Sequence, residues 1–372
     1  MKNNILLFAF LLISLSGFSQ SYEFQTVVDL DATEVISQDI TGTCWSFSTS
    51  SFLESEIIRL TGKQIDLSEM YSVRQTYSKK AWIYVMRQGK AQFSEGGLAH
   101  DVINSISDFG IVPNSIYTGL NVNEETHNHS KMVESIKVVL DTYIKNSDKY
   151  DTNWSQDVEE ILDSHLGSNM TSFNYEGIQY TPQSFLEMTT LNPEDYITIT
   201  SFTQAPFYSK FILNIPDNFS NGSFYNVPLD NMIAIINHAI ENGYSIELDC
   251  DVSEKTFSSK YGIAVIPEDE SKNKEALTKI QKEKEITQKY RQQEFENYNT
   301  TDDHLMHITG ILKDQNGILY YKVKNSWGNN PERVANDGYI YMSEAYMRLK
   351  TISVMIHKDA LATEMASELH LN

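Results

Sequence analysis

Cysteine is nearly absent: the 372 residues hold two, Cys44 and Cys250. At most one internal disulfide is possible, which excludes a disulfide scaffold. Proline (8) and glycine (17) are too scarce for a collagen-like or low-complexity chain. Positive charge is also scarce, with 29 Lys and Arg against 50 Asp and Glu and a net charge of −21. A surface this acidic repels phosphates, which argues against nucleic acid and anionic membranes as partners. Beyond the first twenty residues no apolar run reaches the ~18 residues of a membrane-spanning helix. What the chain does have is 41% hydrophobic residues, with 21 Tyr and 17 Phe. That is enough for a packed core and excludes global disorder.

The N-terminus reads as a separate object. Lys2 gives a positive start, Ile5 to Leu15 is a short apolar core, and Gly17 and Ser19 are small residues before a cleavage point. This pattern predicts a secretory signal peptide over 1–19, the alternative being an uncleaved anchor. An exported protein is the expectation, with residues 20–358 as one domain and 359–372 as a C-terminal tail.

Along the rest of the chain, residues 22–37 are β-prone. Residues 43–61 predict a helix, with Leu53, Ile57 and Leu60 on one face and Gly62 as its stop. A second helix is expected after Leu67-Ser68-Glu69, and a third over 98–109 before Gly110-Ile111-Val112-Pro113. Residues 120–235 are less patterned and read as an insertion, with charged helical stretches at 131–146 and 155–166. Ile246 to Val252 predicts a strand. The Lys-, Glu- and Gln-rich run 268–296 predicts a solvated helix. The C-terminal third predicts strands at 304–312, 318–324, 339–342 and near 352–356. The first two are joined at Asp314-Gln315-Asn316-Gly317, where Asn-Gly is a strong hairpin signal.

Chemistry centres on Gln38-Asp39-Ile40-Thr41-Gly42-Thr43-Cys44-Trp45. Cys44 stands where a loop becomes a helix, with Thr43 as the expected N-cap. Free amides and the helix dipole there favour a thiolate. Taken alone, a buried structural cysteine is the commoner reading. The hairpin supplies the partner. A turn centred between Gln315 and Asn316 brings His304 beside Trp327 and Asn325 beside Met306. His304 and Asn325 then lie almost side by side, so the asparagine can fix the imidazole tautomer. Trp327 can shield that bond. His307, an odd number of residues further along the same strand, points to the other face. His127 and His129 lack the convergent ligands that zinc needs, so no metal or other cofactor is expected. Cys250 reads as a buried hydrophobe, and both thiols are expected to be free.

These residues resemble the papain-like cysteine peptidases. The local signature Cys-Gly-Ser/Ala-Cys-Trp/Tyr is matched at Gly42, Cys44 and Trp45, with Thr41 and Thr43 at the two departures. Gln38 matches the oxyanion glutamine, and Asn325-Ser326-Trp327-Gly328 matches the asparagine motif. Gly96-Gly97 resembles the paired glycines whose backbone binds extended substrate. His304-Leu305-Met306 and Cys250-Asp251-Val252 are similar to the bleomycin hydrolase and aminopeptidase C branch. Roughly 260 residues separate Cys44 from His304, against about 130–150 in papain-type enzymes, and the excess falls in the 120–235 insertion.

The resemblance implies a two-lobed α+β fold, with a helical lobe carrying Cys44 and an antiparallel, barrel-like lobe carrying His304 and Asn325. It implies a peptide substrate in the cleft and a Cys44 thiolate paired with His304 imidazolium. Oxyanion stabilisation falls to Gln38, and an aminopeptidase is the expected activity. An endopeptidase or a silent peptide-binding homologue are the alternatives. In the branch the C-terminal tail lies in the cleft and limits it to N-terminal trimming; here about 14 residues follow Lys358. The branch also often forms hexamers, so a homo-oligomer is possible.

Overall fold

The computed structural model describes residues 21–148 and 153–371. The expected signal peptide lies outside the described residues. Helices dominate the first half: Cys44–Thr61, Glu69–Met86, Ala99–Phe109, Ser130–Lys145 and Trp154–Leu166. Local signals set two of these ends plainly. Gly62 adopts a left-handed conformation (φ 71°) and returns its N–H to the Ile58 carbonyl, as a glycine at that position is free to do. The Ser68 side chain accepts the N–H of Tyr71 and so caps the second helix.

The Cys44 helix is buried through most of its length, from Cys44 to Ile57. Leu53 and Ile57 are in the core as the periodicity predicts, but Leu60 is 40% exposed in the last turn. The helix carries many buried hydroxyls, most with a named partner. Ser46 Oγ donates to the Glu69 carbonyl (2.9 Å) and Ser48 Oγ to Glu247 Oε1 (3.2 Å). Thr49 Oγ1 donates back to the Trp45 carbonyl (2.7 Å) and Ser55 Oγ to that of Asp31 (2.8 Å). Paired in this way, polar groups can be buried without a large desolvation penalty.

The second half builds a large, mostly antiparallel sheet. At its centre the strand His304–Asp314 pairs with Ile246–Cys250 on one side and Leu319–Lys324 on the other. Thr351–His357 continues the sheet beyond Ile246–Cys250, and Tyr339–Ser343 continues it beyond Leu319–Lys324. In the hairpin, His307 faces Lys324 and Ile308 faces Val323. This is the pairing that a turn centred between Gln315 and Asn316 predicts. A bulge between Ile308 and Gly310 shifts the turn-proximal half by one residue.

One sequence expectation is corrected. Residues 268–296 do not form one helix. Only Asn273–Ala276 and Gln288–Glu296 are α-helical. Between them the chain is pinned by Glu283, which accepts the Ile266 N–H (2.6 Å) and the Ser343 hydroxyl (2.7 Å), and by buried Ile286. Arg291, fully buried in the second helix, donates Nε to the Ser201 carbonyl (2.9 Å). The later part of the 120–235 stretch joins the sheet: Tyr196–Thr200 pairs with Thr351–His357, and Ser223–Asn226 and Ser209–Ile212 follow. Among the described residues, the C-terminal tail contributes none to the cleft lining. Its helix Thr363–Glu368 and residues Leu361 and Leu369 pack on the core beside Leu229–Glu241, because those apolar side chains find cover there. Among the described residues, no helix is long and apolar enough to cross a membrane.

Candidate active site

A cleft of about 720 Å³ runs between the start of the Cys44 helix and the start of the His304 strand. Gln38, Cys44, Gly96, Gly97, His304 and Trp327 all line it. Asn325 stands behind His304.

The loop before Cys44 is tied down at several points. Gln38 N–H donates to the Ser326 carbonyl (2.8 Å). The Gln38 side chain is fixed at both ends: Oε1 accepts from Ser326 Oγ (2.6 Å) and Nε2 donates to the Thr41 carbonyl (2.7 Å). An amide nitrogen carries two N–H groups, so one remains for the cleft. Gly42 N–H donates to Glu95 Oε2 (2.6 Å), and Trp45 Nε1 donates to the Glu95 carbonyl (3.0 Å). The Gly96-Gly97 segment is thereby held against the helix start. A Cβ at Gly97 would lie 3.1 Å from the Trp45 indole. Thr43 occupies the N-cap position but does not cap with its side chain. Its hydroxyl bonds Thr41 Oγ1 instead (2.7 Å), while its carbonyl accepts from Ser46 and Phe47.

His304 is 4% exposed. Its Nε2 donates to Asn325 Oδ1 (2.7 Å), which also accepts the Ser326 N–H (2.7 Å). The bond fixes the tautomer with Nδ1 as the free acceptor. The Trp327 ring lies 4.8 Å from the imidazole, centre to centre, and covers it. Next in the chain, the Leu305 backbone N–H reaches the Cys44 sulfur. His307 turns the other way, with Nδ1 2.9 Å from Ser51 Oγ in the interior. Cys250 is fully buried opposite His304 in the neighbouring strand, and both thiols are free.

Burial pushes the Cys44 thiol up to about 12, helped by the carboxylates of Asp302, Asp217 and Asp249 and opposed by the Leu305 N–H. Burial likewise pushes His304 down to about 4, against the bond to Asn325. The lone thiolate expected from the helix N-terminus is therefore not favoured, because desolvation outweighs the dipole. A charged sulfur in this setting needs a compensating cation beside it.

Three cleft groups were not visible in the sequence pattern. Asp217 comes from the loop before Ser223–Asn226, Asp302 stands two residues before His304, and Glu95 precedes the paired glycines. Only the nearness of Asp302 and Glu95 to recognised motifs could have signalled them. Nothing in the sequence marks Asp217. His127 and His129 stack edge to face at 6.0 Å. Among the described residues, the carboxylates of Glu54, Asp66 and Glu69 are the group close enough to share an ion, and none of them lines the cleft.

Residues 168–372 match the Peptidase C1-like family. Aminopeptidase C of Listeria monocytogenes serovar 1/2a is 23% identical across 89% of this chain and 82% of its own length. Aminopeptidase C of Streptococcus thermophilus is 22% identical across 92% and 84%. The solved structure of PepW from Lactobacillus rhamnosis HN001 shares the fold, with a TM-score of 0.70 at 20% identity over 93% of this chain and 84% of its own. With more than half of its length matched by the family, the chain belongs to the Peptidase C1-like family of papain-like cysteine peptidases.

Proposed function

We propose that this cysteine peptidase is an aminopeptidase acting through Cys44, His304 and Asn325 in a cleft between a helical and a sheet lobe. The observation that carries the reading is the 2.7 Å His304–Asn325 bond opening on the cleft that Cys44 lines. His304 Nδ1 takes the Cys44 proton as the sulfur attacks the scissile carbonyl. The tetrahedral oxyanion is met by the free Gln38 Nε2–H and the Cys44 backbone N–H, which has no partner within its own helix. His304 then protonates the leaving amine, and water, deprotonated by the same imidazole, hydrolyses the thioester. Gly96 and Gly97 offer backbone to an extended peptide, and Trp327 keeps water from the His304–Asn325 bond. Export, read from residues 1–19, is part of the proposal; sequencing the mature N-terminus tests it, with a start near Gln20 expected.

One observation favours a second reading. With the C-terminal tail packed away from the cleft, the branch's device for limiting cleavage to N-termini is missing, as in an endopeptidase. Digestion of one peptide, free and N-acetylated, followed by mass spectrometry separates the two. An aminopeptidase shortens the free peptide stepwise and spares the acetylated one. Internal cleavage of both supports the endopeptidase.

A further inference from the structure

The cleft lining is acidic without a counterion of its own. Asp39, Glu95, Asp217, Asp302 and Asp303 line it, and none of its described lining residues is Lys or Arg. Two of these carboxyls come together from distant parts of the chain. The loop bearing Asp217 reaches across so that its backbone N–H donates to the Asp302 carboxyl. The Asp217 carboxyl rests on Gly96. A Cβ there would stand 2.0 Å from Asp217 Oδ2, so only glycine admits the carboxyl at this point. Gln92 Nε2 donates to Asp217 Oδ1 (2.8 Å).

Behind Asp302 stands Asp249, 1% exposed, and neither Asp249 Oδ1 nor Asp302 Oδ2 has a donor from a basic, amide or hydroxyl group. The two carboxyls bond each other, and burial raises both, Asp302 to about 7. Two buried carboxyls can share one proton. Lys80, whose charge acts on Asp217 and Asp302, is buried and donates to the Gly96 carbonyl while lying over the Phe219 ring at 4.8 Å. It offsets one charge, and the Asp302–Asp249 pair keeps an unmet demand for a cation.

The direction of the substrate follows from the chemistry. The leaving amine must lie beside His304, which protonates it, and Trp327 covers His304 while packing on Phe257. The acyl part then extends toward Gly96 and Gly97, where Asp217 and Asp302 meet.

On the reading of the cleft as a peptidase site, we propose that Asp217 and Asp302 form an ammonium subsite that receives the substrate's free α-amino group on the acyl side of Cys44. The loop bearing Asp217 thus does the work that the C-terminal tail does not. An amine entering as its ammonium supplies the charge that lets the Asp302–Asp249 pair release its shared proton to solvent. No covalent step is involved.

The test uses one peptide lacking Lys and Arg in free and N-acetylated forms, and acetylated peptides carrying lysine or norleucine one residue before the cleaved bond. kcat and KM are measured on the full mature chain, on Asp302→Asn and on Asp217→Asn. The expected result is a free-over-acetylated preference that falls about tenfold or more in each variant, chiefly through KM, as loss of one partner of a desolvated charge pair implies. Asp217→Asn, in a loop, keeps the test open if Asp302→Asn melts early. A preference unchanged in both variants overturns the proposal. So does a lysine-over-norleucine preference that collapses while the free-amine preference stands, since the subsite then takes a side-chain cation. Wild type cutting none of these peptides refutes the peptidase reading instead. The subsite is then read by calorimetry on Cys44→Ala, where tighter binding of the free peptide, lost on adding Asp302→Asn, supports it and equal binding overturns it.

Discussion

His304 and His307 stand three residues apart on one strand and serve opposite faces: His304 Nε2 meets Asn325 Oδ1 at 2.7 Å by the cleft, while His307 Nδ1 meets Ser51 Oγ at 2.9 Å in the interior. The two should therefore fail differently when removed. His304→Ala should lower kcat/KM by about 10²–10⁴, the usual worth of a positioned proton carrier, with its melting temperature little changed. His307→Ala leaves the Ser51 hydroxyl without its imidazole partner and opens a void beside Phe52. It should cost about 1–3 kcal/mol of stability and spare kcat. Kinetics beside thermal melts decide the matter, and the reverse pattern would move the base to His307.

Gln38 and Ser326 make a second linked pair. Because Ser326 Oγ donates to Gln38 Oε1, the amide is held with its nitrogen toward Thr41 and the cleft. Gln38→Ala should lower kcat by roughly 10²–10³, the worth of one oxyanion donor. Ser326→Ala, which frees the amide to turn, should lower it by a smaller factor. Cys44 should remain open to alkylation in both. Near wild-type kcat in a folded Gln38→Ala enzyme would make Gln38 a loop residue only.

The hairpin half of the site was legible in the sequence because strand pairing is arithmetic. Once Asn316-Gly317 marks the turn, register places His304, Asn325 and Trp327 together. The cysteine half was legible through Gly42, Cys44 and Trp45, although the Thr43 hydroxyl turned to Thr41 rather than to the helix. Asp217 was not legible, since it reaches Gly96 only through the placement of Ser209–Ile212 and Ser223–Asn226 at one end of the sheet. The 268–296 run misled for a different reason. Lys, Glu and Gln suit a solvated helix and a surface-following chain equally, and the choice was made by Glu283 and Ile286 finding buried partners. The tail's location was likewise set by the cover that Leu361 and Leu369 find on the core.

The pH dependence of turnover follows from His304. With its imidazole held down to about 4 by burial, the base is protonated and useless below that value and free above it. At saturating free peptide, with the Asp302 subsite already filled, kcat should rise through about pH 4 and level off well below neutrality. Asn325→Ala removes the bond that raises the imidazole pKa and should move this limb to lower pH as it reduces the plateau. An acid limb near 6.5, the ordinary histidine value, would show that His304 is far better solvated than its 4% exposure implies.

Stability should carry its own pH signature at Glu247. This side chain is 1% exposed beneath the Cys44 helix, where Ser48 Oγ donates to Oε1 at 3.2 Å. Burial pushes its carboxyl up to about 8, Ser48 opposing. Below the ordinary glutamate value, about 4.3, folded and unfolded chains both hold the proton and the group has no effect on the balance. Above it the unfolded chain gives the proton up while the folded chain keeps it until about pH 8. The folded state then binds more protons, so stability falls by about 1.4 kcal/mol for each pH unit across that window. Glutamine keeps the shape and the acceptor for Ser48 but has no proton to lose. Glu247→Gln should match wild type near pH 4.5 and become more stable than it as pH rises to 8, by a few kcal/mol at the upper end. Denaturant melts at pH 5 and pH 8 read the difference directly. Parallel stability curves for the two proteins would mean that Glu247 is ionised in the folded chain, with a counter-charge or water reaching it from the Ser48 side.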